Sequence, residues 1–112
     1  MDEGNRRIAV ARSISASVGN GGVNRKDDSR TVQELLNNVP PDEGGPTPLL
    51  VVDGLPWQKT QAAIGRFQKE AMGFQWPDRR VDPNGQTLAR LNEFDGPPRV
   101  VERLDPGPVF YV

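Results

Sequence analysis

The chain has 112 residues, of which 35% are apolar and 26% are charged, so it has room for one domain with one modest core. Its formal net charge of -1 provides no field that would attract a polyanion, and we do not expect a nucleic-acid partner. The sequence contains neither cysteine nor histidine, which removes disulfides, thiolate chemistry, the usual metal ligand and the usual proton shuttle, so we expect no cofactor and no metal site.

The first 18 residues favour either a strand with one covered face or a disordered arm, and both readings stay open. Their apolar residues share one parity, at Ile8, Val10, Ile14, Ala16 and Val18. A period of two is typical of a strand, but Arg12 interrupts the series. We treat residues 1–16 as an N-terminal arm and expect the glycine-rich residues 19–22 to end any regular structure.

The start of the chain also bears on location. Residues 1–8 lack the apolar stretch of a secretory signal, and no apolar run reaches the length of a membrane span. We therefore expect a protein that is made in the cytoplasm without a signal peptide and reaches the periplasm or a target cell by a non-Sec route.

A first helix is predicted near residues 25–38. Asn24 is a candidate N-cap, and Asp27 and Asp28 place negative charge in the first turn, where it suits the helix dipole. Pro40 stops the helix, because proline disfavours helical geometry in the residue before it. One face would be buried, made of Val32, Leu35, Leu36 and Val39.

A second helix is predicted near residues 57–72. A polar loop at 42–48 precedes it, and the apolar run 49–52 is expected to enter the core as extended chain. Gly73 suits the C-terminal cap of the helix. Its buried stripe would consist of Ala63, Ile64, Phe67 and Ala71.

A third, shorter helix is predicted near residues 83–92. Asp82 would be its N-cap and Pro83 its first residue, with Leu88 and Leu91 on the buried face. The three helices predict a mainly α fold, a small three-helix bundle over residues 17–94. Its termini would be irregular or short extended segments, with a Pro/Gly-rich tail at 95–112.

Two turn-plus-helix units share a pattern. The first is Val52-Asp53-Gly54 followed by Lys59-Thr60, Ala63-Ile64 and Phe67-Gln68; the second is Val81-Asp82-Pro83-Asn84-Gly85 followed by Thr87-Leu88 and Leu91-Asn92. With the first helix before them, this ordered set resembles the peptidoglycan-binding-like domain family, in the variety attached to bacterial effectors. The resemblance covers residues 17–92, about two-thirds of the chain.

The resemblance implies a small helical module that binds the cell wall and has no catalytic activity. The motif residues it carries are interpreted as mostly structural, because an Asp-Gly turn needs positive φ, a threonine hydroxyl can tie a helix start to the turn, and a phenylalanine fills the centre. These structural residues are Asp53, Gly54, Thr60, Phe67, Asp82 and Thr87.

The sequence departs from the family pattern at both turns. Trp57-Gln58 stands where the family has Gly-Pro, and Arg79 stands where a glycine is expected after Asp78. The second turn must therefore either strain a non-glycine residue or adopt another shape.

We expect the two turns to share a ligand groove. The candidate binding residues are Trp57, Gln58, Lys59, Trp76, Arg79 and Arg80. The tryptophans can pack on a sugar ring, and the cations can pair with carboxylates of a wall stem peptide. The alternatives are that the tryptophans cover the edge of a small core and that the arginines form a solvated basic turn.

Two functions are kept. The first is a non-catalytic module that brings an attached or associated effector or lytic activity to the bacterial cell wall. The second is a protein-interaction or loading domain of a secreted effector system, such as type VI secretion. A hydrolase is not expected, since the acidic pairs Asp27-Asp28 and Asp42-Glu43 have tasks as helix and loop charges.

Overall fold

The computed structural model describes residues 11–94, and predictions on residues 1–10 and 95–112 lie outside the described residues. Within this range the chain forms three α-helices, one short 3-10 helix at Pro41–Glu43 and one two-stranded sheet. The helices are α1 at Lys26–Asn37, α2 at Gln58–Glu70 and α3 at Gln86–Asn92. The strands are β1 at Val18–Gly19 and β2 at Arg80–Val81. These elements agree with a mainly α fold.

The apolar faces of the three helices meet in one core, as their spacing predicts. Phe67 is completely buried at its centre, and its ring meets Phe94 edge-on with centroids 6.0 Å apart. All the residues predicted for the buried faces of the first and third helices are buried, while Ala71, the C-cap of α2, is partly buried against the core. The core residues from the helices are Val32, Leu35, Leu36, Ala63, Ile64, Phe67, Leu88 and Leu91, and Val39 joins them from the residues just after α1.

The described part of the N-terminal segment packs on the helices. Ile14 and Val18 are buried, but regular pairing is limited to β1, where Val18 faces Val81 in the antiparallel register. The Asp28 carboxylate accepts hydrogen bonds from the Ser15 N–H at 2.9 Å, from the Ser15 hydroxyl at 2.7 Å and from the Ala16 N–H at 3.1 Å. Asp28 therefore anchors the incoming chain to α1, beyond the dipole role predicted for it.

The predicted N-cap of α1 is wrong by one residue. Arg25 occupies the cap position and makes no capping side-chain bond, while Asn24 has a left-handed backbone with φ of 62°. The Asn24 side chain binds the loop before it, because its Oδ1 accepts from the Gly19 N–H at 2.6 Å and its Nδ2 donates to the carbonyls of Gly19 and Gly22. Asn24 thus fixes the loop that leads from β1 to α1.

The predicted start of α3 is also wrong, because the helix begins at Gln86 and Gly85 holds the cap position. Residues 82–85 form a turn in which the Gly85 N–H donates to the Asp82 carbonyl at 3.1 Å and Asn84 has φ of 61°. The Asp82 carboxylate is engaged elsewhere, in an ion pair with Arg80 at 2.9 Å. That pairing leaves Asp82 without the capping role that the Asp-Pro pair favoured.

The apolar run 49–52 does not enter the core as a unit. Leu50 packs against the core, but Leu49 is 60% exposed and Val51 is 75% exposed. The Asn37 side chain holds the run by its main chain, since it accepts from the Leu50 N–H at 2.9 Å and donates to the Leu50 carbonyl at 3.0 Å. Only every second residue is therefore directed inward.

Among the helices at residues 11–94, none has the length and apolar character that crossing a membrane requires.

Candidate functional site

Gln33 of α1 is buried, and its side chain makes the hydrogen bonds that hold the turn at Asp53-Gly54. Its Nε2 donates to Asp53 Oδ1 at 3.1 Å, to Thr60 Oγ1 at 3.0 Å and to the Leu55 carbonyl at 3.3 Å. Its Oε1 accepts from the N–H groups of Asp53 at 3.1 Å and Gly54 at 2.9 Å. One side-chain amide therefore joins α1, the turn and the first residues of α2.

Gln68 of α2 organises the second turn in the same way. Its Nε2 donates to Asp78 Oδ1 at 2.8 Å, to Thr87 Oγ1 at 3.2 Å and to the Arg80 carbonyl at 3.2 Å. Its Oε1 accepts from the Arg79 N–H at 2.9 Å. The residue that corresponds to Asp53 is therefore Asp78, which agrees with the expected glycine position at Arg79. Asp82, which was also interpreted as a motif residue, pairs with Arg80 instead.

The second turn keeps the shape of the first despite its missing glycine. Gly54 has φ of 78° and Arg79 has φ of 59°, so both lie in the left-handed region. Of the two alternatives, the chain adopts the one in which a non-glycine residue carries the strained conformation. The hydrogen bonds of Gln68 and Asp78 on either side of Arg79 hold it there.

An open groove of about 740 Å³ lies between the loop at residues 46–55 and the first half of α2, and we call it the α2 groove. Its volume is within the range of small-ligand sites. The loop reaches α2 through the Gln33 bonds described above, and its other end is held where Arg66 Nε donates to the Gly45 carbonyl at 3.2 Å. The residues that line it are Gln33, Pro46, Thr47, Pro48, Leu49, Leu50, Val51, Asp53, Leu55, Trp57, Gln58, Lys59, Thr60, Ala62, Ala63 and Arg66.

Apolar side chains at the rim of the α2 groove are unusually exposed. Leu49 and Val51 stand on the loop side, Leu55 is 49% exposed and Trp57 is 57% exposed. Large apolar groups grouped around one concavity mark a binding surface more often than scattered ones do. The groove therefore offers apolar contact area for a ligand.

The charges of the α2 groove are mainly positive. Within residues 11–94 no carboxylate pairs with Lys59, and the partners of Arg66 in this range are two carbonyl groups, those of Gly45 and Pro41. Asp53 is the acidic residue of the lining, and its pKa lies below the ordinary value because the Leu55 N–H and the Gln33 amide donate to it, against a smaller opposing effect of desolvation. Since Asp53 is occupied by these bonds, the two cations are available to an anionic group.

Only half of the predicted site residues line the α2 groove. Trp57, Gln58 and Lys59 do, at the start of α2. Trp76 lies outside the groove and is 83% exposed. The side chain of Arg79 packs so closely on Gly65 that a Cβ added to this glycine would lie 2.8 Å from Arg79 Cγ. Arg80 pairs with Asp82. The binding role of these residues stays a prediction.

Helix geometry explains why the two turns do not share the groove. Ala62 and Arg66 are four residues apart and face the groove, whereas Gly65 and Gln68 are three apart and face the second turn. At 100° per residue these two pairs lie on different sides of α2. The helix itself therefore separates the second turn from the groove.

Sequence reasoning missed the loop side of the α2 groove and its second cation. Leu49 and Val51 were expected to be buried, and Arg66 was not singled out. A signal for this side of the groove was present in the sequence. Lys59, Ala62 and Arg66 are spaced by three and four residues, which places two cations and a small residue on one side of the helix.

Within the described range 11–94, no group of three or more acidic residues is arranged to hold a metal ion. Comparison with protein-family models, with curated proteins and with solved structures found no match to this chain.

Proposed function

We propose that this chain is a non-catalytic binding domain of the peptidoglycan-binding-like kind, which brings an attached or associated activity to the bacterial cell wall through the α2 groove. The observation that carries the proposal is the pair of hydrogen-bond networks around Gln33 and Gln68. They join the two turns to the helices as one hydrogen-bonded frame, and the groove opens directly beside the first network.

The frame supports binding because it fixes the groove before a ligand arrives. Gln33 touches the groove and also bonds the turn at Asp53 and the helix start at Thr60. A preformed site loses less conformational entropy when it binds. Trp57, the residue before α2, would then supply apolar contact, and Lys59, in the first turn of α2, would supply positive charge.

Cosedimentation of the pure chain with purified cell-wall sacculi tests this function. The wild-type protein should sediment with the sacculi, and Ala62→Glu should not, because it places a bulky anion in the α2 groove at an exposed helical position. Ala89→Glu is the matched control, since it makes the same substitution at an exposed position of α3 outside the groove. Absence of any wild-type binding would refute the proposal.

A second candidate function is a protein-interaction or loading domain of an effector system. The observation that favours it is the exposure of Leu49, Val51 and Leu55 around the groove, since aliphatic side chains suit a protein partner. Failure to bind sacculi, together with a partner that competes for the α2 groove and is lost on Ala62→Glu, would support this candidate.

A further inference from the structure

The loop side of the α2 groove presents an extended main-chain edge, although residues 49–51 are not part of a sheet. The Asn37 amide reaches both the N–H and the carbonyl of Leu50, at 2.9 and 3.0 Å, so these two groups lie on the same side of the chain. This is the arrangement of an extended strand, in which the main-chain groups of the neighbouring residues point the opposite way. The N–H and carbonyl groups of Leu49 and Val51 therefore point away from Asn37.

These outward main-chain groups have no partner within the chain as described. Neither Leu49 nor Val51 makes a hydrogen bond through its N–H or carbonyl among residues 11–94. Both side chains are mostly exposed as well. An extended edge with free main-chain groups is the template that peptide-binding proteins use for strand addition.

The opposite side of the groove carries positive charges that no carboxylate among residues 11–94 neutralises. Lys59 and Arg66 stand on α2, and Arg66 is held in place by the carbonyls of Gly45 and Pro41 at 3.2 and 3.0 Å. Ala62 lies between them, which leaves space for small side chains. A ligand that fits both sides has amide groups along its backbone, small apolar side chains and at least one carboxylate.

From this geometry we infer that the α2 groove holds the peptide part of the cell wall, with a stem peptide extended along residues 49–51 and its carboxylate at Lys59 and Arg66. The inference rests on the proposed wall-binding function and names the part of the wall that is bound. A glycan strand fits less well, because Trp57 is the single aromatic side chain of the lining and most of the remainder is aliphatic or proline.

Three ligands separate the alternatives: intact sacculi, sacculi stripped of stem peptides by an amidase, and the released stem peptides. The full chain should bind the first, lose about tenfold or more in affinity for the second, and bind the third in competition with the first. Equal binding to the stripped glycan would overturn the inference and leave the wall-binding function standing. No binding to any of the three would overturn both.

Variants test the main-chain contact and the charge separately. Val51→Pro removes the outward N–H and leaves Leu50 in the extended region, so affinity for stem peptides should fall about three- to tenfold, while Val51→Thr should bind like wild type. Lys59→Met should weaken binding and reduce its salt dependence, and Lys69→Met should do neither. Circular dichroism and a thermal melt verify that each variant is folded.

Two results would overturn the role that we infer for this edge. If Val51→Pro and Val51→Thr bind stem peptides equally well, main-chain pairing at this edge is refuted. If an all-L peptide with the same side chains binds more tightly than the wall peptide, the edge belongs to a segment of a protein partner, and the assignment to the wall is overturned.

Discussion

Gln33 on α1 and Gln68 on α2 make the same contacts with the turn and the helix that follow each of them. Each donates to an aspartate, at 3.1 Å for Asp53 and 2.8 Å for Asp78. Each also donates to a threonine near the start of the next helix and accepts from the N–H of the left-handed turn residue. The fold therefore uses one hydrogen-bonded unit twice, and the second copy lies on a different side of α2 from the groove.

Removal of the second network should destabilise the whole domain. Gln68→Met keeps the side-chain length but leaves Thr87 and the Arg79 N–H without their partner, so we expect a loss of about 2–3 kcal/mol in the free energy of unfolding. Urea denaturation measures it. Gln86→Met, at an exposed position of α3, should change stability by less than about 0.5 kcal/mol. Equal stability of the two variants would refute the structural role of Gln68.

Phe67 should be the most costly single truncation in the core. It is completely buried and makes an edge-on contact with Phe94, so Phe67→Ala should lower the free energy of unfolding by about 3–5 kcal/mol. Trp76→Ala, at an 83% exposed position, should leave the thermal midpoint almost unchanged. A melt of Phe67→Ala that coincides with wild type would place Phe67 outside the core.

Two glycines with similar backbones should differ in their tolerance of a methyl group. Gly54 and Gly73 have φ of 78° and 72°, but a Cβ on Gly54 would lie 2.4 Å from Lys26 Cγ and 3.0 Å from the Lys26 carbonyl oxygen, while a Cβ on Gly73 meets nothing within 4 Å. Gly73→Ala should cost about 1 kcal/mol for its left-handed backbone, and Gly54→Ala should cost more. Chemical denaturation of both variants measures the difference, and equal losses would contradict the close approach at Gly54.

Asp28 should make stability fall in acid. Burial raises the pKa of its carboxyl, but the bonds from Ser15 and Ala16 and the charge of Arg25 outweigh that effect, so the folded-state pKa is lowered. The stabilisation is therefore fully present above the unfolded value, about 4, and is lost as pH falls through the lower folded-state pKa. Asp28→Asn should be less stable than wild type at pH 7 and should lose less stability below pH of about 4. Asp27→Asn, the exposed neighbour, is the control; if it behaves like Asp28→Asn, the anchoring role is refuted.

Helical periodicity predicted the core well because the apolar residues of each helix recur on one face. Val32, Leu36 and Leu91 are fully buried for that reason. Helix starts were less predictable, because the side chains that suit a cap were recruited by neighbours in space. Asn24 binds the loop at Gly19, and Asp82 pairs with Arg80.

The candidate site was predicted only where it coincides with the start of α2. Trp57 and Lys59 are next to a turn that the sequence identifies. The loop side depends on Asn37, whose amide holds Leu50 from 13 residues away and leaves Leu49 and Val51 outside. A contact between a helix end and a distant loop leaves no periodic signal, so composition alone favoured burial of the whole run.

The central claim is that the α2 groove, and not the second turn, binds the cell wall. The most direct measurement compares sacculus binding by Trp57→Ala and Trp76→Ala, two exposed tryptophans of which only the first lines the groove. The account predicts that Trp57→Ala loses about tenfold or more in affinity and that Trp76→Ala binds like wild type, with both variants folded. Unchanged binding by Trp57→Ala, together with loss of binding by Trp76→Ala, would contradict it.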